Sequence, residues 1–84
     1  MAMFHEAVRG VIEQGKYAAR AGWAAGTFLW YDTANKRISQ YTGGGGTWNA
    51  PTRTGGANAA YTLTMTDIVA AGDGSPIVDW SFVG

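Results

Sequence analysis

The sequence predicts a single α+β domain, in which an N-terminal helix packs on an antiparallel β-sheet and a short second helix precedes the last strand. Apolar residues near the start recur every three or four positions, as on one face of a helix. Farther along, short runs rich in aromatic and β-branched residues are separated by turn residues, as in strands. The chain has 84 residues, which predicts one domain, residues 1–84, with one thin core.

The first predicted element is the N-terminal helix. Its apolar stripe is formed by Phe4, Ala7, Val8, Val11 and Ile12. Gly15 is placed to end the helix, since glycine readily adopts the left-handed conformation of a C-cap. Gly10 lies inside the helix, where glycine costs about 1 kcal/mol relative to alanine. We therefore expect Gly10 to mark a close approach of another element.

The strands and turns follow in order along the rest of the chain. Strands are predicted at residues 16–21, 27–31, 37–42 and 77–83, with a turn at 32–35. The glycine-rich residues 43–59 predict a mobile loop or a loose hairpin. Residues 61–63 fit either a strand or the approach to the short helix. Thr64 followed by Asp67 is close to a capping box, which predicts that the second helix begins there.

The strand at 27–31 is apolar on both faces. Its two-residue period places Phe28 and Trp30 on one face and Leu29 and Tyr31 on the other. One face can meet the helix, so we expect the other face to meet another subunit or a ligand. Charged residues make up only 14% of the chain, against about 25% in a typical soluble domain. Both observations predict a homo-oligomer.

Charge and cysteine content exclude several classes of function. Six basic and six acidic residues cancel, so there is little electrostatic drive toward the phosphate backbone of nucleic acids. The absence of cysteine excludes disulfides and most zinc sites. No apolar run approaches the ~20 residues of a membrane span, and the start lacks the apolar region of a secretory signal. We expect a soluble, intracellular protein.

Residue patterns for catalysis are missing. The single histidine, His5, has no second histidine or cysteine to bind a metal with. The carboxylates of Asp67, Asp73 and Asp79 have no neighbour that indicates a shared proton. The four glycines at 43–46 lack the Lys-Ser/Thr ending of a phosphate-binding loop, so a hairpin tip is the better interpretation. We expect no enzymatic activity, no catalytic residue, no metal and no cofactor.

Aromatic rings carry the remaining signal, because they exceed what one thin core needs. The large rings are Trp23, Phe28, Trp30, Tyr31, Tyr41, Trp48, Tyr61 and Trp80. For each ring taken singly, a place in the core or in a subunit interface is the better interpretation, but we expect several to line a site. Stacking a base on such a ring contributes about 1–3 kcal/mol. Arg20 and Arg53 could meet a phosphate with bidentate geometry.

Two motifs resemble a known family of small phage and prophage proteins. The first is an amphipathic helix followed by Gly15-Lys16 and by Arg20-Ala21-Gly22-Trp23. The second is "YTLTMTDIVA" at 61–70, followed by Asp79-Trp80. Together they resemble the phage Thoeris anti-defence sponges, formerly a domain of unknown function, whose N-terminal motif is Arg-x-Gly-Trp.

The chain departs from the family pattern in two places. Tyr61, Leu63 and Thr64 stand where the family has Trp, Pro and Ser. Residues 71–78 separate the second motif from Asp79-Trp80, where the family runs on almost directly. The glycine-rich middle of the chain matches nothing in the family, which bears on the choice of ligand.

The resemblance implies a non-catalytic sponge that binds and holds nucleotide immune signals, and so blocks Thoeris immunity. The signals are cyclic ADP-ribose isomers and, for some members, cyclic dinucleotides, which would extend the effect to CBASS. It also implies a homotetramer with sites between subunits, acting in the cytoplasm of the infected bacterial host.

The expected ligand-binding residues follow from the resemblance. Trp23 and Phe28 would bind adenine or ribose faces, Tyr61 would be a second ring, and Arg20 or Arg53 would neutralise the pyrophosphate. Thr64 and Asp67 would hold the short helix, whose N-terminal amides can face an anion. Trp80 completes the set.

Two other functions remain open at this point. A single-stranded nucleic-acid binder could use the same aromatic surface, although the neutral charge disfavours it. A phage structural or protein-interaction module would use the rings only in an oligomer interface.

Overall fold

The computed structural model describes residues 2–24, 26–42 and 57–83. Its elements in chain order are α1 (Phe4–Gln14), β1 (Tyr17–Arg20), β2 (Phe28–Asp32), β3 (Arg37–Thr42), β4 (Ala57–Ala60), a 3-10 turn (Met65–Asp67) and β5 (Trp80–Val83). The strands form one sheet in the order β4-β3-β2-β1-β5, and every neighbouring pair is antiparallel. The predicted α+β class is confirmed.

Helix α1 begins and ends as its sequence predicts. The Met3 N–H donates to Oε1 of Glu6 at 2.9 Å, and Gly15 ends the helix with a φ of 64°. Ala7 and Val11 are buried against the sheet. A Cβ added to Gly10 would lie 2.3 Å from Cζ of Phe82, so the expected close approach at Gly10 is confirmed, and the neighbour is β5.

The predicted second helix and last strand are both shorter than expected. The helix is a single 3-10 turn of three residues, which is too short to present a helix N-terminus to an anion. The strand predicted at 77–83 begins only at Trp80. Residues 69–76 fold back on themselves through a bridge between Val69 and Pro76, and the Ile77 N–H bonds to the Ile68 carbonyl. Because the backbone groups of these residues pair locally, β5 does not extend back to residue 77.

The glycine-rich region predicted as a loop at 43–59 overlaps strand β4. Residues 57–60 pair with β3, with Ser39 opposite Ala60 and Thr42 opposite Ala57. The hairpin interpretation is therefore correct for the end of this region, and residues 43–56 lie outside the described residues.

Strand β2 has buried residues on both of its faces, whereas Trp30 is half-buried and Tyr31 is exposed. On the helix side, Leu29 is 1% exposed and belongs to a cluster with Ala7, Val11, Ala18 and Trp80. On the opposite side, Phe28 is fully buried in a cluster with Ala19 and Tyr41. The inference that one face of this strand must be covered by a partner or a ligand is therefore wrong for Phe28 and Leu29, because the chain buries both.

Candidate functional site

The candidate site lies where three distant segments of the chain meet, and Arg20 connects them. Its Nε donates to Oδ1 of Asp79 at 2.9 Å and its Nη2 to Oδ2 at 3.2 Å, which is the bidentate geometry of a strong ion pair. Its Nη1 donates to the Thr66 carbonyl at 3.0 Å and to Oδ1 of Asp67 at 3.3 Å. β1, the 3-10 turn and the start of β5 are therefore held by one guanidinium.

Asp67 is the second connecting residue, and it is only 9% exposed. Besides Arg20, its carboxylate accepts hydrogen bonds from the Tyr61 hydroxyl and from the Thr64 hydroxyl, the latter at 3.2 Å. Its backbone carbonyl accepts a hydrogen bond from the indole Nε1 of Trp80 at 3.0 Å. The 3-10 turn that carries Asp67 is thus fixed to the core from both sides.

Two pKa values in this cluster are raised. The hydrogen bonds from Arg20 to Asp79, ahead of those to Asp67, raise the pKa of the Arg20 guanidinium above its usual range. Burial, followed by the hydrogen bond to Asp67, raises the pKa of the Tyr61 hydroxyl well above its ordinary value. Both groups therefore hold their protons at neutral pH, and the cluster of one guanidinium and two carboxylates carries one net negative charge.

Four aromatic rings form a continuous chain of contacts beside this network. The Trp23 ring meets the Trp80 ring edge-on at 5.2 Å between centroids. Trp80 meets Phe4 at 5.6 Å, and Phe4 meets Tyr61 at 6.4 Å. Trp80, in the middle, is fully buried, whereas Trp23 and Tyr61, at the two ends, are half-buried. Phe4 is half-buried as well, so the surface of the cluster is formed by Trp23, Phe4 and Tyr61, and Trp80 lies beneath them.

Local backbone structure places Trp23 and Trp80. The Trp23 N–H bonds to the Arg20 carbonyl at 3.2 Å, closing a tight turn in which Gly22 has a φ of 106° that favours glycine. Trp80 is held on one side by β1 and on the other by Ala2, whose N–H donates to the Trp80 carbonyl at 2.7 Å. Residues 20–23 therefore form a turn that connects Arg20, which binds Asp67 and Asp79, to Trp23, which packs on Trp80.

The structure brings together most of the sequence-predicted site residues. Six of them lie in this cluster, namely Arg20, Trp23, Tyr61, Thr64, Asp67 and Trp80. Phe28 lies on the other face of the sheet, in the cluster with Tyr41. Phe28 and Trp80 are fully buried, so in the single chain neither ring presents a face to a ligand. Arg53 lies outside the described residues.

Sequence reasoning missed two participants. Asp79 was part of the resemblance motif but not of the expected site, and its side chain is 35% exposed beside Arg20. Phe4 was expected only as a core residue of α1, yet its ring links Trp80 to Tyr61. The adjacency of Asp79 to Trp80 was the available signal for the first; nothing in the sequence pointed to the second.

The arrangement offers stacking surfaces and hydrogen-bond acceptors rather than a free cation. Arg20 makes four hydrogen bonds to the chain, and a guanidinium has five N–H donors. The described residues contain no group of three or more His, Cys, Asp or Glu side chains placed to hold a metal ion. No helix among them has the length and apolar character needed to cross a membrane.

Comparisons of the chain with protein-family models, with curated proteins and with solved structures found no match in any of the three.

Proposed function

We propose that this protein is a non-catalytic phage sponge that binds and sequesters nucleotide immune signals in the cytoplasm of the infected bacterial host. Cyclic ADP-ribose isomers are the first ligand class and cyclic dinucleotides the second, so that the sponge would block Thoeris immunity and, through the second class, CBASS immunity. The observation that supports this proposal most is the convergence of the motif segments 20–23, 61–67 and 79–80 on one network. If the motif residues lay far apart in the structure, the resemblance would support the proposal much less.

The geometry gives each residue of the cluster a revised role in this proposal. The half-buried rings of Trp23 and Tyr61 supply the stacking surfaces for adenine and ribose. The part-exposed carboxylate of Asp79 and the hydroxyl of Thr64 supply hydrogen bonds for ribose hydroxyls. Arg20 and Asp67 hold these groups in place, since their own hydrogen-bonding capacity is largely used inside the chain.

The pyrophosphate of a bound cyclic ADP-ribose isomer needs a source of positive charge other than Arg20. The cluster around Arg20 carries net negative charge, which disfavours a bare phosphate at that point. Arg53 is the remaining candidate from the sequence. A homo-oligomer, which the resemblance implies is a tetramer, would add a second copy's side chains to each site.

The proposal is tested by ligand capture and release. Purified protein is mixed with a cyclic ADP-ribose isomer, bound nucleotide is counted by native mass spectrometry, and the heated complex is analysed by chromatography. A sponge releases the signal unchanged, whereas conversion to another product would assign an enzyme. Trp23→Ala should abolish capture, and the matched control Tyr31→Ala, which removes an exposed ring outside the cluster, should not.

A protein-interaction module is the second candidate function. It is favoured by exposed large apolar side chains at Met65 (67%), Val78 (54%) and Leu63 (49%), which lie outside the core. If no nucleotide shifts the melting temperature of the protein and none is retained in the native mass spectrum, the sponge proposal fails and this function becomes the better interpretation.

A further inference from the structure

Within residues 2–24, 26–42 and 57–83, strand β5 leaves part of its outer edge unpaired. On its inner side, the Ala21 N–H donates to the Asp79 carbonyl at 3.2 Å, and the ladder continues to Tyr17 opposite Val83. Hydrogen-bonded and non-hydrogen-bonded pairs alternate along an antiparallel ladder. The N–H and C=O of Trp80 and Phe82 therefore point away from β1.

The two outward-facing residues of β5 differ in what they bind. The Trp80 groups bond to Ala2, at 2.7 Å and 3.1 Å, which shows that this edge accepts an extended segment. The Phe82 N–H and C=O have no backbone partner among residues 2–24, 26–42 and 57–83. An unpaired edge of this kind is a template for another strand.

A groove of about 480 Å³ lies between α1 and this edge. Its floor is the ring of Phe82, which is 41% exposed and seated on Gly10, where the missing side chain leaves room for it. Lys16 places its ammonium 4.7 Å from the centre of the same ring. An apolar surface, a cation and two unpaired backbone groups thus lie together.

The charges along the groove favour an acidic ligand. Arg9 and Lys16 line it, and so does Glu6, but the Glu6 carboxylate already accepts the Met3 N–H. The Arg9 side chain is 75% exposed and pairs with Glu13 on the same helix, a pairing that contributes little to stability and can be exchanged for another carboxylate. The lining residues thus contribute two cations and one carboxylate, and the carboxylate that pairs with Arg9, Glu13, lies outside the lining.

We propose that the free edge of β5 binds an extended, acidic peptide segment of another protein. The segment adds to the sheet beyond Ala2, bonding to the Phe82 N–H and C=O, and lies in the groove beside α1. Strand addition of this kind draws affinity from main-chain hydrogen bonds and selectivity from side-chain contacts. Here the Phe82 ring contacts an apolar side chain, and Lys16 and Arg9 select carboxylates. The inference does not depend on nucleotide binding, because it uses none of the residues of the candidate site.

The first test is amide hydrogen exchange of β5 by NMR. In the free protein the Phe82 amide should exchange much faster than the Ser81 and Val83 amides, which face β1. An acetylated peptide of about eight residues that alternates Glu and Val, a common strand length, should slow Phe82 exchange by about tenfold or more at saturation. A Lys-Val peptide of equal length should not.

The second test reverses one charge. Lys16→Glu should weaken binding of the Glu-Val peptide by about fivefold, the size expected for exchanging an exposed ion pair for a repulsion. Lys36→Glu makes the same change in net charge at the exposed turn between β2 and β3, and it should leave the affinity unchanged.

Three results would overturn the proposal. Phe82 exchange could be unaffected by either peptide at millimolar concentration, or both variants could lose affinity equally. Alternatively, Phe82 could be protected without peptide in a concentration-dependent way, which would assign the edge to pairing between copies of this chain.

Discussion

Asp32 and Asp67 are both buried carboxylates, but they differ in how far along the sequence their hydrogen-bond donors lie. Asp32 is 7% exposed and Asp67 9%. Among the described residues, the hydrogen bonds to the Asp32 carboxylate come from within seven residues, from Ala34 and Asn35 in the following turn and from Ser39 in β3. Asp67 also has local donors, Tyr61 and Thr64, but its ion-pair partner, Arg20, lies 47 residues away.

The difference separates two uses of a buried charge. The carboxylate of Asp32 stabilises the turn that follows it, and its hydrogen-bond donors lie within seven residues of it in the sequence. The carboxylate of Asp67 binds Arg20, and so it joins β1 to a 3-10 turn that follows β4 in the sequence. The first stabilises a local conformation, whereas the second makes three segments cooperative, so the same chemical change should have different consequences in the two regions.

The largest expected effect is at Arg20. Arg20→Met keeps much of the side-chain volume but leaves the carboxylates of Asp67 and Asp79 without their cation. Breaking a buried ion pair from one side costs about 3–5 kcal/mol; because the Arg20 side chain is 21% exposed, we expect about 2–3 kcal/mol of lost unfolding free energy, measured by urea denaturation. Arg37→Met, at the exposed arginine beside the Asp32 region, should cost less than about 0.5 kcal/mol. Equal losses would remove the distinction between the two regions.

Asp67→Asn comes next. The amide oxygen can still accept from Tyr61 or Thr64, but the charge opposite Arg20 is gone, and we expect a loss of about 1–2 kcal/mol. The packing of the Trp80 indole should also become less ordered, because its Nε1 donates to the carbonyl of residue 67. A weaker near-ultraviolet circular dichroism signal would report this change. A variant with unchanged stability and unchanged aromatic signal would contradict the role of Asp67 as a connecting residue.

Tyr61→Phe should cost about 1.5 kcal/mol at neutral pH, since it removes one hydrogen bond from a half-buried hydroxyl to a charged group. The pKa of Tyr61 is raised above its ordinary value of 10.0 by burial and by Asp67. Its contribution to stability is therefore fully present below that pH and is lost as the pH rises through the folded-state pKa. In an absorbance titration, a late tyrosinate step should disappear in Tyr61→Phe and persist in Tyr31→Phe.

The smallest expected effect is at Asp32, and it depends on pH in the opposite sense. The Asn35 side chain, ahead of backbone donors, lowers the pKa of Asp32 below its ordinary value of 3.8. The stability it contributes is present above that value and is lost as the pH falls through the folded-state pKa. The melting temperature of Asp32→Asn should therefore lie below that of the wild type at neutral pH and approach it in acid. Thr33→Ala, an exposed change in the same turn, should keep the wild-type pH dependence.

The same contrast explains what the sequence could predict. Strand 37–42 was predicted at the right place, and the turn predicted at 32–35 lies one residue later, at 33–36, because β2 extends to Asp32. Short-range pattern and side-chain capping decide both elements. The helix and its Gly15 cap were predicted for the same reason. Strand β4 was missed because Ala57–Ala60 is a weak strand sequence; its pairing with β3 decides its conformation.

The candidate site was reached by resemblance rather than by pattern. Arg20 and Asp67 were named together because two motifs occur in order, and no periodicity relates residues 47 positions apart. The sequence could not identify Trp80 and Phe28 as fully buried either, since it favours a core or an interface for each ring taken singly without showing which rings line a site. Only the packing of both faces of the sheet distinguishes them.

The bond between Ala2 and Trp80 bears on how the chain reaches this structure during its synthesis. Strand β5 pairs with β1, and its Trp80 also pairs with Ala2, so residues 80–83 must be synthesised before Ala2 and β1 gain these partners. Contacts between positions so far apart in sequence form slowly. Until then β1 and α1 lack their contacts with β5, and the structure of the nascent chain is limited to local elements such as the β2–β3 hairpin. We expect folding to be completed only after residues 80–83 leave the exit tunnel, as a single late step.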